Sequence, residues 1–174
     1  ADADLSLIVV PQKEWDEYSE DIRVYNARRR EAGKDARRPI VGCNVYCTNN
    51  LDEIDEVFWS AVHDHAVSAI NHYELDEPEH FKEVGGYDHY ADAAYRIKEG
   101  GAGSRHTHSH TQIFGTPEMC LEAILEIQDK THPEEMYGVF KFGEMPLEKS
   151  KASMELFAKE VLPEIHKQKL MDAL

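Results

Sequence analysis

The stretch that decides the fold begins Gly115-Thr116-Pro117-Glu118-Met119-Cys120. It continues through Tyr137-Gly138-Val139-Phe140-Lys141-Phe142-Gly143-Glu144-Met145-Pro146 to Ser153-Met154-Glu155-Leu156-Phe157 and Val161-Leu162-Pro163. Thr116 is a helix N-cap type, Pro117 suits the first helical position, and Glu118 complements the positive end of the dipole. Cys120, Ile124 and Ile127 supply the buried side of that helix. Tyr137 to Phe142 reads as a strand closed by glycine. The last helix is expected to bury Met154, Phe157, Val161 and Ile165, with Pro163 kinking its end. This alternation is that of βα units in a parallel sheet.

The same alternation extends upstream. Leu5 to Val10 is an almost continuous apolar run stopped by Pro11, the pattern of a strand covered on both faces. Trp15, Tyr18, Ile22 and Tyr25 recur at helical spacing. Gly33 and Pro39 bracket a polar connection, and Ile40 to Cys47 reads as the second strand. Asn50 is an N-cap type with Glu53 placed for a capping box. From there Ile54, Val57, Phe58, Ala61, Val62 and His65 form one apolar stripe, which predicts a helix to about Tyr73 with His65 on its buried side. An irregular connection from Asp76 to Gly86 and a shorter helix from Asp88 to Lys98 follow. Gly100-Gly101-Ala102-Gly103 then frees the backbone ahead of Ser104 to Gln112, which has no apolar face.

The fold class is therefore α/β, with parallel strands near 5–10, 40–47 and 137–142. Three such strands leave two unpaired edges. A complete (β/α)₈ TIM barrel takes about 250 residues, whereas this chain has 174. It also opens on Ala1-Asp2-Ala3-Asp4 directly before a strand. The expectation is one incomplete barrel domain, spanning 1–174 and starting mid-fold.

Hydrophobic residues at 41% and charged residues at 30% describe a soluble globular chain. The longest apolar run, Leu7 to Val10, is far short of the ~20 residues that cross a bilayer, and no signal peptide precedes it. A net charge of −15 argues against nucleic acid. Arg28, Arg29 and Arg30, with Arg37 and Arg38, are read as a solvated helix end complementing the dipole. Three cysteines, an odd number, suit a reducing compartment and hence the cytoplasm. Cys43 and Cys47 stand about 13 Å apart along a strand, too far for a disulfide. Either is free to meet Cys120, but buried thiols are the reading adopted.

His106, His108 and His110 alternate, so in a strand they would share a face with Cβ atoms about 7 Å apart. Three on one metal would require the chain to curl, and no further ligand is fixed nearby. No metal site is expected. No zinc-protease, paired-cysteine, phosphate-loop or nucleophile-elbow motif occurs. Barrel enzymes work at the C-terminal ends of their strands. That marks Pro11-Gln12-Lys13, Tyr46-Cys47-Thr48 and Phe142-Gly143-Glu144, against the plainer reading of each as a strand-to-helix turn.

From Leu5 to Leu162 the chain resembles the luciferase-like, flavin-dependent monooxygenase superfamily. The residues carrying the match are Ile8-Val9-Val10-Pro11-Gln12-Lys13, Val41-Gly42, Gly86-Tyr87, Gly115 to Glu118, Phe142 to Pro146, Ser153 to Phe157 and Val161 to Pro163. The resemblance implies the sixth, seventh and eighth strands of a TIM barrel, with a mobile lid near 98–114. It implies an enzyme that uses reduced flavin and O2 to oxidise a small organic substrate. FMN, supplied reduced by a flavin reductase, is the implied cofactor, with a deazaflavin the lesser alternative. Gln12, Tyr46 and Gly143 become candidate cofactor contacts. Arg105, His106, His108 and His110 become lid or substrate candidates, although many relatives carry a more apolar, aromatic run there. The first five strands, with the flavin-phosphate contacts and several catalytic residues, would lie upstream. Catalytic residues therefore stay unknown, the N-terminal part of the barrel is the implied partner, and the isolated chain is expected to be inactive. A homo-oligomer is expected, with neither nucleic acid nor membrane as partner. The competing reading is a non-catalytic shortened relative that binds flavin or assembles with itself.

Overall fold

A computed structural model describes residues 1, 3–11, 13–74, 77, 79 and 111–174. The expected helix over 88–98, the glycine hinge, the histidine run and most of the expected lid lie outside the described residues.

Strand β2, Ile40–Cys47, is the hub, and its bounds match the apolar run in the sequence. Strand β1, Ile8–Val9, pairs parallel to its start, with Ile8 opposite Ile40. Strand β4, Glu135–Val139, pairs parallel along Ile40 to Asn44, and β3, Ile113–Gly115, pairs parallel with Val45 to Cys47. Helix α1, Trp15–Glu31, joins β1 to β2. A π-helical turn, Ile54–Trp59, leads into α2, Ser60–Tyr73. Helix α3, Pro117–Thr131, follows β3, and α4, Leu147–Glu160, with the short α5, Leu162–Ile165, follows β4. The sheet is parallel throughout and the class is α/β, consistent with part of a barrel.

The register assigns two faces. Odd-numbered residues of β2, Val41, Cys43, Val45 and Cys47, pack with Val9, Ile113 and the inner sides of the helices (Trp15, Cys120, Ile124 and Val161). Removing this much apolar surface from water at about 25 cal/mol per Å² is what holds the helices on. Thr116 caps α3 as its residue type predicts, accepting from the Met119 amide at 3.4 Å.

Several local expectations are corrected. The first strand is Ile8–Val9 rather than 5–10, because Leu5 stands free of the sheet at 69% exposure. The strand expected at 137–142 runs Glu135–Val139. Phe142 instead leaves the sheet to pack on Phe58, and Gly143 turns the chain with φ +50. The C-terminal end of the expected lid, 111–114, is core: Thr111, Gln112 and Ile113 are buried, and Ile113 and Phe114 belong to β3. In α4 the buried positions are Ser150 and Ser153, while Met154 is exposed. Ser153 fits because its Oγ accepts the Cys47 amide at 2.8 Å, which an apolar side chain cannot do. His65 is exposed: the stripe stays buried through Ala61 and Val62, past the π-turn, and ends there. Arg29 is buried, unlike Arg28 and Arg30, and its guanidinium meets Asp4 at 2.7 Å.

Candidate functional site

The C-terminal end of β2 carries a polar cluster inside an aromatic one. Tyr46 Oη donates to Glu53 Oε2 at 2.6 Å, and Thr48 Oγ1 donates to the same oxygen at 3.3 Å. Lys149 Nζ of α4 reaches Glu53 Oε1 at 2.8 Å. Glu53 is thus spent on the strand end and on α4 rather than on the capping box its spacing suggests. Lys149, followed by Tyr46, holds the Glu53 carboxyl below its ordinary range despite some desolvation. Burial, with the carboxylate beside it, pushes the Tyr46 phenol well above its usual value. At neutral pH Glu53 stays charged and Tyr46 stays a donor, so neither is tuned for proton transfer.

That depressed value has a pH consequence. Stability contributed by the Glu53 carboxylate is present above the unfolded glutamate value, about 4.3, and is lost as pH falls through the lower folded value. Glu53→Gln is expected to cost about 1 kcal/mol in urea unfolding at neutral pH, Lys149 being partly solvated. The variant should also lose less stability than the parent on acidification below about pH 4.3. Identical acid profiles for the two proteins would remove the carboxylate from this role.

Over Tyr46 sits the second apolar cluster: Phe58, Ala61, Val62, Phe142 and Met145, with Phe114 and Trp59 beside it. It closes the even-numbered face of the sheet at the strand ends. Lower down, that face is open. Ile8 and Val10 are 65% and 53% exposed, and Tyr137 and Val139 are 44% and 37% exposed. Register puts Tyr137 opposite Gly42 and Val139 opposite Asn44. The Tyr137 ring lies across Gly42, where a Cβ would come within 2.1 Å of its Cζ. Just above, the Asn44 amide donates to Gln112 Oε1 at 2.8 Å, and Gln112 Nε2 donates to Thr111 Oγ1 at 3.3 Å. A side chain thus supplies the acceptor that a paired backbone would offer.

Among the residues marked from sequence, Tyr46 lies at the top of this face with its hydroxyl committed to Glu53. Gly143 lies against α2, where a Cβ would meet the Ala61 carbonyl at 2.2 Å. Gln12, Arg105, His106, His108 and His110 lie outside the described residues. Sequence reasoning missed Asn44, Gln112, Tyr137, Glu53 and Lys149. Period-2 alternation in Ile40–Cys47 places Gly42, Asn44 and Tyr46 on one face and was signal enough for Asn44. Nothing local points to Lys149. Among the described residues no group of three His, Cys, Asp or Glu is placed to hold a metal, and no helix is long and apolar enough to cross a membrane.

Parallel βα units with one helix-covered face and one open apolar face define a partial α/β sheet, consistent with part of a barrel. The sequence matches no family model and no curated protein. Solved structures do match. Monooxygenase RslO1 from Streptomyces bottropensis aligns with a TM-score of 0.55 and 17% identity, over 94% of this chain and 43% of that one. The oxygenating constituent of 3,6-diketocamphane monooxygenase from Pseudomonas putida does so with a TM-score of 0.55 and 19% identity, over the same shares. That protein is a type II Baeyer-Villiger monooxygenase solved in complex with FMN. What is shared at this identity is the fold, which fits that of luciferase-like flavin monooxygenases. The chain spans less than half the length of these structures.

A flavin presents a flat ring system and, in FMN, a phosphate dianion. The charged residue on the open face among the described strands is Glu135, opposite Ile40, and its sign opposes a phosphate. The described face does not fit the phosphate.

Proposed function

We propose that this chain is the C-terminal part of a flavin-dependent monooxygenase of the luciferase-like type, using reduced FMN and O2 to oxidise a small organic substrate. The observation that carries the reading is the open apolar face of a parallel sheet whose fold matches part of an FMN-bound monooxygenase. Parallel sheets are almost always covered on both faces, and the N-terminal part of the same barrel is the proposed cover. It would also bring the phosphate contacts that this face lacks. Reduced flavin would come from a separate reductase in the cytoplasm, with a deazaflavin the lesser alternative. Gln12, Tyr46 and Gly143 are proposed near the cofactor, and Arg105, His106, His108 and His110 in a lid over the substrate. Such a lid would exclude water from the bound substrate.

The test compares this chain alone with the chain joined to a preceding half-barrel segment. The joined protein is expected to quench FMN fluorescence saturably and to consume O2 only when a reductase supplies reduced flavin. The chain alone should show no turnover. Absence of flavin binding by the joined protein would sink the reading.

The same open face favours a second reading, a shortened relative that assembles with itself. In either case the chain alone is expected to self-associate in sedimentation velocity, and Val10→Glu should shift it towards monomer. A wild-type chain that stays monomeric across the concentration range would contradict both. Flavin binding by a discrete homo-oligomer of the chain alone would select the second.

A further inference from the structure

A cavity of about 430 Å³ opens between α3, α5 and the segment after β4, on the helix-covered face of the sheet. Val45, Ile113 and Ile124, all of the first apolar cluster, form its floor, and Phe140, Phe157 and Ile165 wall it. These side chains are hydrocarbon throughout. The charged residues of the lining are Lys169, Glu134 and Glu135, and all are exposed, which puts them at the rim. The tail after α5 crosses the mouth, where Gln168, Lys169 and Leu170 contribute to the lining. Side chains of α1 and α3 and the α3 cap fasten it there. Gln128 Nε2 donates to the Lys169 carbonyl at 3.0 Å, His132 Nδ1 to the Asp172 carbonyl at 2.6 Å and Asn26 Nδ2 to the Leu174 carbonyl at 2.9 Å.

We propose that this cavity is a binding site for a small uncharged aromatic molecule, on the sheet face opposite Tyr46. Its volume falls within the range of small-molecule sites, about 300–1,000 Å³. Water is a poor occupant, because a buried water needs about two to four polar partners and the floor side chains offer only hydrocarbon. An empty apolar space forfeits packing on every wall. An apolar guest restores those contacts.

The lining sets the class of guest. A charge of either sign would lose its water against Phe140, Phe157 and Ile165 without gaining a partner at the floor. The rim holds both signs, with two carboxylates to one lysine, so it draws no anion in. Phe140 and Phe157 meet edge to face with centroids 5.3 Å apart, an arrangement that a third ring extends. Entry requires the tail to swing from the mouth. That motion breaks the bond from Gln128 and leaves the sheet and its helices in place.

The experiment titrates the chain with naphthalene by equilibrium dialysis, and with naphthalene sulfonate, the same rings carrying an anion, as the comparison. A single naphthalene per chain is expected to bind, and the sulfonate to bind about tenfold more weakly or less. Ile165→Trp, which fills the cavity, should weaken naphthalene by a similar factor. Val10→Glu, on the opposite and open face, should leave its binding unchanged. Methyl NMR of the Val10→Glu chain is expected to show naphthalene shifting Val45, Ile113 and Ile124 and not Ile8. The proposal is overturned if naphthalene does not bind, if the sulfonate binds equally well, or if Ile165→Trp binds like the parent. Loss of binding in Val10→Glu, or shifts centred on Ile8 and Val139, would overturn it too. Should Ile165→Trp fail to fold, the NMR map obtained with Ile165 in place still decides.

Discussion

Phe58→Ala is expected to lower the unfolding free energy by about 3–5 kcal/mol, the range for emptying a large aromatic from a packed core. Phe58 is fully buried. Its ring centroid lies 4.6 Å from that of Phe114, 4.9 Å from Trp59, 5.9 Å from Phe142 and 6.3 Å from Tyr46. No other described side chain links β2, β3, the π-turn and the segment after β4 in this way. The void would open at the C-terminal ends of the strands, where the proposed chemistry sits. Against a total stability of about 5–15 kcal/mol, the variant should be partly unfolded at 37 °C. Urea unfolding followed by circular dichroism measures the loss, and Phe58→Leu, which keeps most of the volume, should cost much less. A loss for Phe58→Ala below about 1 kcal/mol would mean that the rings are not packed as described.

Gly143→Ala should cost nearly as much by a different route. Gly143 has φ +50, where a non-glycine residue costs about 1–3 kcal/mol. Its added Cβ would also fall 2.2 Å from the Ala61 carbonyl oxygen. That oxygen belongs to helix backbone, so α2 itself must move to relieve the contact. Gly33 is the control, with φ +70 and nothing within 4 Å of its Cβ position. Gly33→Ala should show the conformational cost alone, and Gly143→Ala clearly more in the same urea titration. Equal losses would show that α2 does not press on the turn. The comparison bears on function because Gly143 is a proposed cofactor contact. In the structure its missing side chain makes room for a helix, a role that accounts for the glycine by itself.

Legibility differed by element for identifiable reasons. Ile40–Cys47 was plain because eight consecutive residues suit a strand covered over most of its length, and the Thr116-Pro117 cap because it is a local hydrogen-bonding device. Strand β3 was missed because three residues are too few to show a period, and the polar Thr111-Gln112 before it looks like loop. Ser150 and Ser153 were passed over for Met154 because hydrophobicity predicts burial only on average. Ser153 is inside because a strand-end amide needs an acceptor. Arg29 looked like its neighbours Arg28 and Arg30 until Asp4, 25 residues away in sequence, came within reach.

Residue order alone determined three of the four described strands with the helices beside them, their parallel sense and the likeness in fold to flavin monooxygenases, since each rests on periodicity, caps and short motifs read locally. Only the tertiary structure decided which sheet face the helices cover, which is left open, and that Lys149 meets Glu53. Those outcomes depend on register and on contacts between residues distant in sequence, where one step of slippage exchanges every side chain between the two faces.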